Sequence, residues 1–428
     1  MEKRKHEKRK QQKEKKKKLL YIMSVDWNWI AQRPHFMALE LAKYYEVTVV
    51  YPRYLYRPWK GQENVRAPGR CIGVPQIPFQ ETSKVLQRVS TRIFERYTGP
   101  LQNYDIVWFG TPMFARLLPR SYSGTVVYDY MDDIAALQTQ EKVAEYVRRA
   151  HAYLLRRADL ILVTSRYLID GLDRKARRKA HLVRNAYKGG GSRFIESTME
   201  AGTLTEDASE EGTLNEGASA ERSLTEDTQS GLSSCKTGTG VIRLGYVGTI
   251  SGWMDFPLLM ESLERFPRLE YHLWGPAGVE IPEHERLISH GVIEHDRIPE
   301  AIRDVDGLIM PFQVNDIVLA VDPVKLYEYI SFGKNIIAVR YPEVERFEPY
   351  AWLYREKGEY LELMEKLCQN DLPVRYSSDE QAAFLKANSW EIRGSVAHDL
   401  LETCMAPKQE AAASPLKPIK PEKQVRRS

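Results

Sequence analysis

The stretch DPVKLYEYISFGKNIIAV, Asp322 to Val339, holds the residue types best spaced to do chemistry. Asp322 reads as an N-cap and Pro323 as the favoured first residue of a helix. That helix runs to about Ser331, and Gly333 can end it. A helix N-terminus presents free N–H groups and partial positive charge, which suits phosphate. Lys325 in the first turn adds a full positive charge, and Glu328 lies one turn on, on the same face. The same spacing also serves a solvated i,i+3 ion pair worth about 0.3 kcal/mol, and this stretch alone does not choose between the two.

Further groups stand where strands should end. In GYVGTISGWMD, Gly248 allows close backbone approach to a phosphate and Thr249 can donate from its hydroxyl or its N–H. The bland alternative is a glycine required only by a tight turn. Asp26, Trp27, Arg33 and His35 follow the first apolar run. His35 could equally be a helix-start residue satisfied by the backbone. VVYDYMDD sets Asp129, Asp132 and Asp133 at the end of another strand. They are either loop acids in water or candidates for proton transfer, which needs hydrogen-bond reach to the reacting hydroxyl.

The elements that must position these groups alternate. LLYIMSV, EVTVVYP, YDIVWFG, GTVVYDYM and ADLILVTS read as short strands, with PHFMALELAKYY and KVAEYVRRAHAYLLRRA as helices between some of them. After a break, VIRLGYVGTI, LEYHLWG, GLIMPF and NIIAV repeat the pattern. Strand–helix alternation implies parallel sheets covered by helices. Two such units place a ligand at the C-terminal ends of the strands, in the cleft between them.

Composition bounds the rest. With 428 residues and 43% hydrophobic content, two or three domains are possible. The net charge of +4 conceals segregation: residues 1–18 carry +8 and Glu196 to Ser230 carries −9. The acidic interval is a near-repeat rich in Glu, Ser, Thr and Gly, expected to stay disordered. Cys71, Cys235, Cys368 and Cys404 lack CxxC spacing, which argues against a disulfide framework or a Cys zinc site. No apolar run approaches the roughly 18–20 residues of a membrane helix, so a cytoplasmic protein is expected. The body shows no basic stripe with interleaved aromatics, so nucleic acid is not expected. The basic N-terminus is either a solvated tail or a peripheral contact with anionic lipid at the inner face of the plasma membrane.

The residues GYVGTISGWMDFPLL, LEYHLWGP, RIPEAIRDVDGLIMPF and DPVKLYEYISFGKNIIAV resemble the donor domain of the two-domain glycosyltransferases called GT-B, specifically glycosyltransferase family 4. WIAQRPHFMALELAK, VVYDYMDD, RRADLILVTSRYL and VRNAY are similar to pieces of the family's first domain. DWNWIAQRPH resembles the enzymes of teichuronic-acid and related cell-wall polysaccharide biosynthesis. The resemblance implies an α/β fold of two facing, doubly wound Rossmann-like domains with a C-terminal crossover helix. The expected divisions are a basic disordered tail (1–18), an acceptor-side domain (19–194), an acidic insertion (195–240), a nucleotide-sugar donor domain (241–387), the crossover helix (388–404) and a disordered basic tail (405–428).

The resemblance further implies retaining transfer of a sugar from a nucleotide diphosphate, UDP foremost, to a hydroxyl of a glycan or lipid-linked acceptor. Gly248, Thr249, Lys325 and the Asp322 helix end would stabilise the diphosphate, and Glu328 would anchor the ribose. Asp129 or Asp132 would contact the donor sugar or take the acceptor proton. Asp26, Arg33 and His35 would face the acceptor, and the Ile293 to Ile298 backbone would meet the base. The nucleotide sugar is a co-substrate, and no metal or other cofactor is expected. Two departures stand out: ISGWMD lacks the family's Arg and Lys, and Ala320 replaces a usual Glu. Lys325 and Glu328 would then carry more of the donor site. The alternatives are a nucleotide-sugar epimerase of the same fold and an inactive sugar- or lipid-binding scaffold.

Overall fold

The computed structural model describes residues 16–29, 31–53, 66–187, 189 and 240–406. Most of the basic tail, the acidic insertion and the C-terminal tail beyond Ala406 lie outside the described residues. The start of the chain corrects one boundary. Lys18 opens the first strand, and Lys17 pairs with Glu402 of the last helix at 3.2 Å. Residues 16–18 therefore belong to the fold, because the sheet needs the Lys18 backbone to pair with Glu46.

The first sheet has seven parallel strands in the order β3-β2-β1-β4-β5-β6-β7. Their ranges are β1 Lys18–Ile22, β2 Glu46–Arg53, β3 Arg70–Pro75, β4 Ile106–Phe109, β5 Thr125–Tyr130, β6 Leu160–Val163 and β7 Ala180–Leu182. The second has six, β10-β9-β8-β11-β12-β13. These are β8 Ile242–Val247, β9 Leu269–Trp274, β10 Leu287–Gly291, β11 Gly307–Met310, β12 Asn335–Val339 and β13 Trp352–Tyr354. Both orders reverse direction at their first strand, which opens a crevice at the strands' C-terminal ends. The central strands IVWF, LILV and NIIAV are buried throughout, as strands covered on both faces must be.

The helices that shape the cleft are α1 Arg33–Leu41, α2 Lys84–Thr98, α3 Glu141–Arg157, α4 Phe256–Arg265, α5 Val324–Ser331 and α6 Trp390–Met405. The last of these leaves the second unit and packs on the first. Trp390 stacks on Phe36 of α1 with ring centroids 5.3 Å apart. Trp390, Ala397 and Leu401 are buried in one core with Tyr21, Met37 and Val49. At the crossing, any Cβ on Gly394 would overlap Glu40, so only glycine lets the two helices approach this closely.

The units are joined where the chain passes between them. The Tyr187 N–H donates to Asn388 O at 2.8 Å, setting the outgoing and returning segments side by side. Buried Glu343 of the second unit accepts from the Arg166 N–H at 2.5 Å and from Arg184 Nε at 3.1 Å, both in the first unit.

Candidate functional site

One wall of the cleft is built around the end of β8. Gly248 continues the strand, donating its N–H to Trp274 O at 2.8 Å, and turns at φ 143. Gly275 makes the same kind of turn at φ 144, and a Cβ there would overlap the Gly248 carbonyl. The two glycines are thus required by their mutual approach as well as by φ. A Cβ on Gly248 would also overlap Lys325 Cε, so the lysine lies directly across the glycine backbone. Thr249 is exposed, and its carbonyl accepts from the Tyr246 hydroxyl at 2.7 Å, which holds the loop.

Helix α5 is pinned to this strand by Tyr329. The Val247 N–H donates to its hydroxyl oxygen at 3.0 Å. That fixes the first turn of α5 beside Gly248. Lys325 Nζ sits 5.5 Å from the Tyr246 ring centroid and 5.9 Å from that of Phe312, within cation–π range. Among the described residues no carboxylate or carbonyl accepts from this ammonium. Burial lowers its pKa, and nearby Glu328 opposes the shift. One turn on, Glu328 Oε1 lies 3.2 Å from His295 Nε2, and both side chains are partly exposed. His295 belongs to the segment expected to meet the base, but its pairing with Glu328 leaves no trace in the sequence pattern.

Asp322 corrects the sequence reading. Helix α5 starts at Val324 with Pro323 as N-cap, and no side chain caps it. The Asp322 carboxylate is buried and faces the joint between the units instead. It accepts from the Asn185 N–H at 2.6 Å and from the Arg346 guanidinium, while Asn185 Nδ2 donates to Asp322 O at 3.0 Å. Bonds from a guanidinium and a backbone N–H to a carboxylate are charge-assisted and strong, and here they hold Asp322 away from the helix end.

The opposite wall is more fully occupied. Arg33 and Asp129 are both buried and bound to each other, with Nη2–Oδ1 at 2.8 Å and Nε 3.2 Å from both oxygens. Arg33 Nη1 also donates to Arg184 O at 3.1 Å. Arg33 thus turns to Asp129 and the backbone where the resemblance had it face the acceptor, and Asp129 is likewise taken up. The reason is electrostatic: a buried ion needs its counter-ion within contact. His35 is fully buried, with Nδ1 accepting from the Gln32 N–H at 3.1 Å and Nε2 3.1 Å from Trp27 O. Both ring nitrogens serve the helix start, so His35 is not offered to acceptor hydroxyls. Asp26 folds its own loop, accepting from the Asn28 N–H at 3.0 Å.

Asp132, two residues beyond β5, is different. Among the described residues its carboxylate accepts no hydrogen bond. Burial, with the charges of Asp129 and Asp322, pushes its pKa up to about 6 against the opposing pull of Arg33. Asp133 caps the following turn, accepting from the N–H groups of Ala135 and Ala136, each at 3.1 Å. Among the described residues no group of three or more His, Cys, Asp or Glu is arranged to hold a metal ion.

No family model matches the chain. A Bacillus subtilis (strain 168) protein, TuaH, whose name assigns it to teichuronic acid biosynthesis as a glycosyltransferase, is 26% identical over 268 residues. The match covers 58% of this chain and 59% of that protein, so the chain spans well under two thirds of the relative's length. Among solved structures, the apo form of the lipopolysaccharide outer core galactosyltransferase WaaB superposes with a TM-score of 0.56 at 11% identity. That match covers 90% of this chain and 99% of WaaB. Anabaena HepE, in complex with UDP and glucose, gives 0.53 at 12% identity, covering 90% and 100%. A UDP-forming trehalose-phosphate synthase from Burkholderia xenovorans gives 0.53 at 10% identity, with the same coverages. Two parallel, doubly wound sheets joined by a returning C-terminal helix, together with these superpositions, give the chain the GT-B architecture.

Proposed function

We propose that the protein is a glycosyltransferase that moves a sugar from a nucleotide diphosphate to a hydroxyl of a glycan or lipid-linked acceptor in cell-wall polysaccharide synthesis. The observation that carries this reading is the Lys325 ammonium, lying across the Gly248 backbone with no anionic partner at hydrogen-bond distance among the described residues. Pairing that half-buried cation with a diphosphate would return its lowered pKa toward normal. The similarity to TuaH supports the cell-wall setting.

In the mechanism, the leaving diphosphate gathers negative charge as the glycosidic bond breaks. Lys325 and the N–H groups that open α5 meet that charge where it develops, and preorganised stabilisation of this kind usually lowers a barrier more than any other effect. Glu328 accepts the ribose hydroxyls, with His295 holding its carboxylate in place. Asp132, with its pKa near 6, is ionised at neutral pH and can accept a hydrogen bond from the acceptor hydroxyl or the donor sugar. We infer retention of configuration by front-face displacement, with UDP as the carrier and no metal. A thermal-shift panel of UDP-, GDP- and dTDP-sugars tests the donor site and identifies its nucleotide. Stabilisation by one of these in the native chain, lost in Glu328→Ala, is the expected result; no response to any would remove the transferase reading.

A further inference from the structure

Away from the cleft, α2 packs against the outer strand β3 and buries Ser90, Phe94 and Thr98. Its other face is unusual. Lys84, Arg88, Arg92 and Arg96 recur every four residues, and all are exposed. Among the described residues none of them has an ion-pair partner. Helix α3, of similar length, pairs two of its exposed arginines internally: Arg148 and Arg149 meet Glu145 at 3.3 and 3.1 Å. Like charges four residues apart repel along a helix, so an external anion that meets the α2 stripe would relieve that repulsion.

Apolar side chains stand within that stripe. Val85 is 66% exposed and Val89 41%. Just before the helix, Phe79 is 74% exposed at φ 61, a backbone conformation rare for a bulky residue. Its carbonyl accepts from the N–H groups of Thr82 and Ser83 at 3.2 and 3.1 Å, which fixes the turn with the ring in solvent.

We propose that α2 and the Phe79 turn form a docking face for an anionic lipid bilayer, with the helix lying in the interface plane. A cationic face carrying apolar side chains is what such a surface recognises. Nucleic acid would use the cations and could stack on Phe79, but it gains nothing from Val85 and Val89. The acidic stretch Glu196 to Ser230 could neutralise the cations, but it has almost no large apolar residues to cover Val85 or Phe79. Among the described residues no helix is long and apolar enough to cross a membrane, so the contact is peripheral. The Phe79 turn follows the C-terminal end of β3, on the same edge of the sheet as Asp132. Four strand spacings, about 19 Å, separate β3 from β5. The bilayer would therefore lie beside the mouth of the cleft. This surface stands independently of the transferase reading, because lipid binding is measured without a donor.

The test is co-sedimentation of the full chain with vesicles of phosphatidylcholine alone and with about one third phosphatidylglycerol. Binding only to the anionic vesicles, weakening with salt, is expected. Each cation contributes about fivefold to partitioning. Arg88→Gln with Arg92→Gln should therefore lower binding by about twenty-five-fold, with an unchanged thermal midpoint. Phe79→Asn keeps a residue that tolerates the left-handed backbone and should also weaken binding. Binding that ignores these variants but disappears on deletion of residues 1–15 would overturn the proposal in favour of the N-terminal segment. Binding that appears only after deletion of residues 196–230 would overturn it in favour of an internal acidic occupant. Binding of a single-stranded RNA that is lost in the arginine variants, with no binding to the anionic vesicles, would overturn it in favour of nucleic acid.

Discussion

The two walls of the cleft use charge in opposite ways. On the first unit, Arg33, Asp129 and His35 are buried and spend their hydrogen bonds on one another or on the backbone. On the second, Lys325 has no such partner among the described residues and lies across a glycine. A wall whose charges are mutually satisfied is rigid and chemically quiet. A wall with a desolvated, unpaired cation is costly to the empty protein and useful to an anion. The difference teaches where binding energy for an anion is stored: on the second unit, in a cation with no counter-ion at hydrogen-bond distance among the described residues.

The largest test of this contrast is Asp129→Ala. It strands Arg33 in a buried site and should cost about 3–5 kcal/mol of stability, read by denaturant unfolding. A cost under about 1 kcal/mol would show that Arg33 finds solvent. Lys325→Met should act on the other coordinate. It should lower kcat by about a hundredfold, while the unliganded chain keeps or raises its melting temperature. A loss of stability with unchanged turnover would reverse the contrast. Gly248→Ala sits at φ 143 and collides with Lys325, so donor affinity should fall by about tenfold or more in calorimetry.

Asp132 gives a pH signature. Its pKa is raised on folding from 3.8 to about 6. The folded state therefore binds more protons than the unfolded state between these values, and the associated stability, full below pH 3.8, is lost as pH rises through about 6. Asp132→Asn should raise stability at pH 7 by up to about 3 kcal/mol and remove any activity limb near pH 6. The smallest effect is expected for His295→Ala. The partly exposed pair with Glu328 is worth about 0–1 kcal/mol, so donor affinity should change by less than about fivefold.

Much of the fold is legible in the sequence because central parallel strands are apolar runs. The strands that sequence patterns miss are edges. β3, RCIGVP, is interrupted by Gly73 and ends in a proline, β10 exposes most of LISHG, and β13 has only three residues. Helix α5 is recognisable through its length and Gly333, but its cap is not, because Asp322 answers to Asn185 and Arg346 far away in sequence. The same holds for Arg33 and Asp129, whose types suggest chemistry while their pairing cannot be read locally. Lys325 and Gly248 both stand out in the sequence, but their contact depends on Tyr329 anchoring the helix to β8.

The paired crossing at Tyr187 and Asn388 has a kinematic consequence. A single tether would let one unit swing about the other in any direction. Two segments bonded side by side act as the two leaves of a door hinge, so the low-energy relative motion is a turn about the line that they share. Glu343, held by Arg166 and Arg184, works as the latch. Relative motion of the two units is then held to one track.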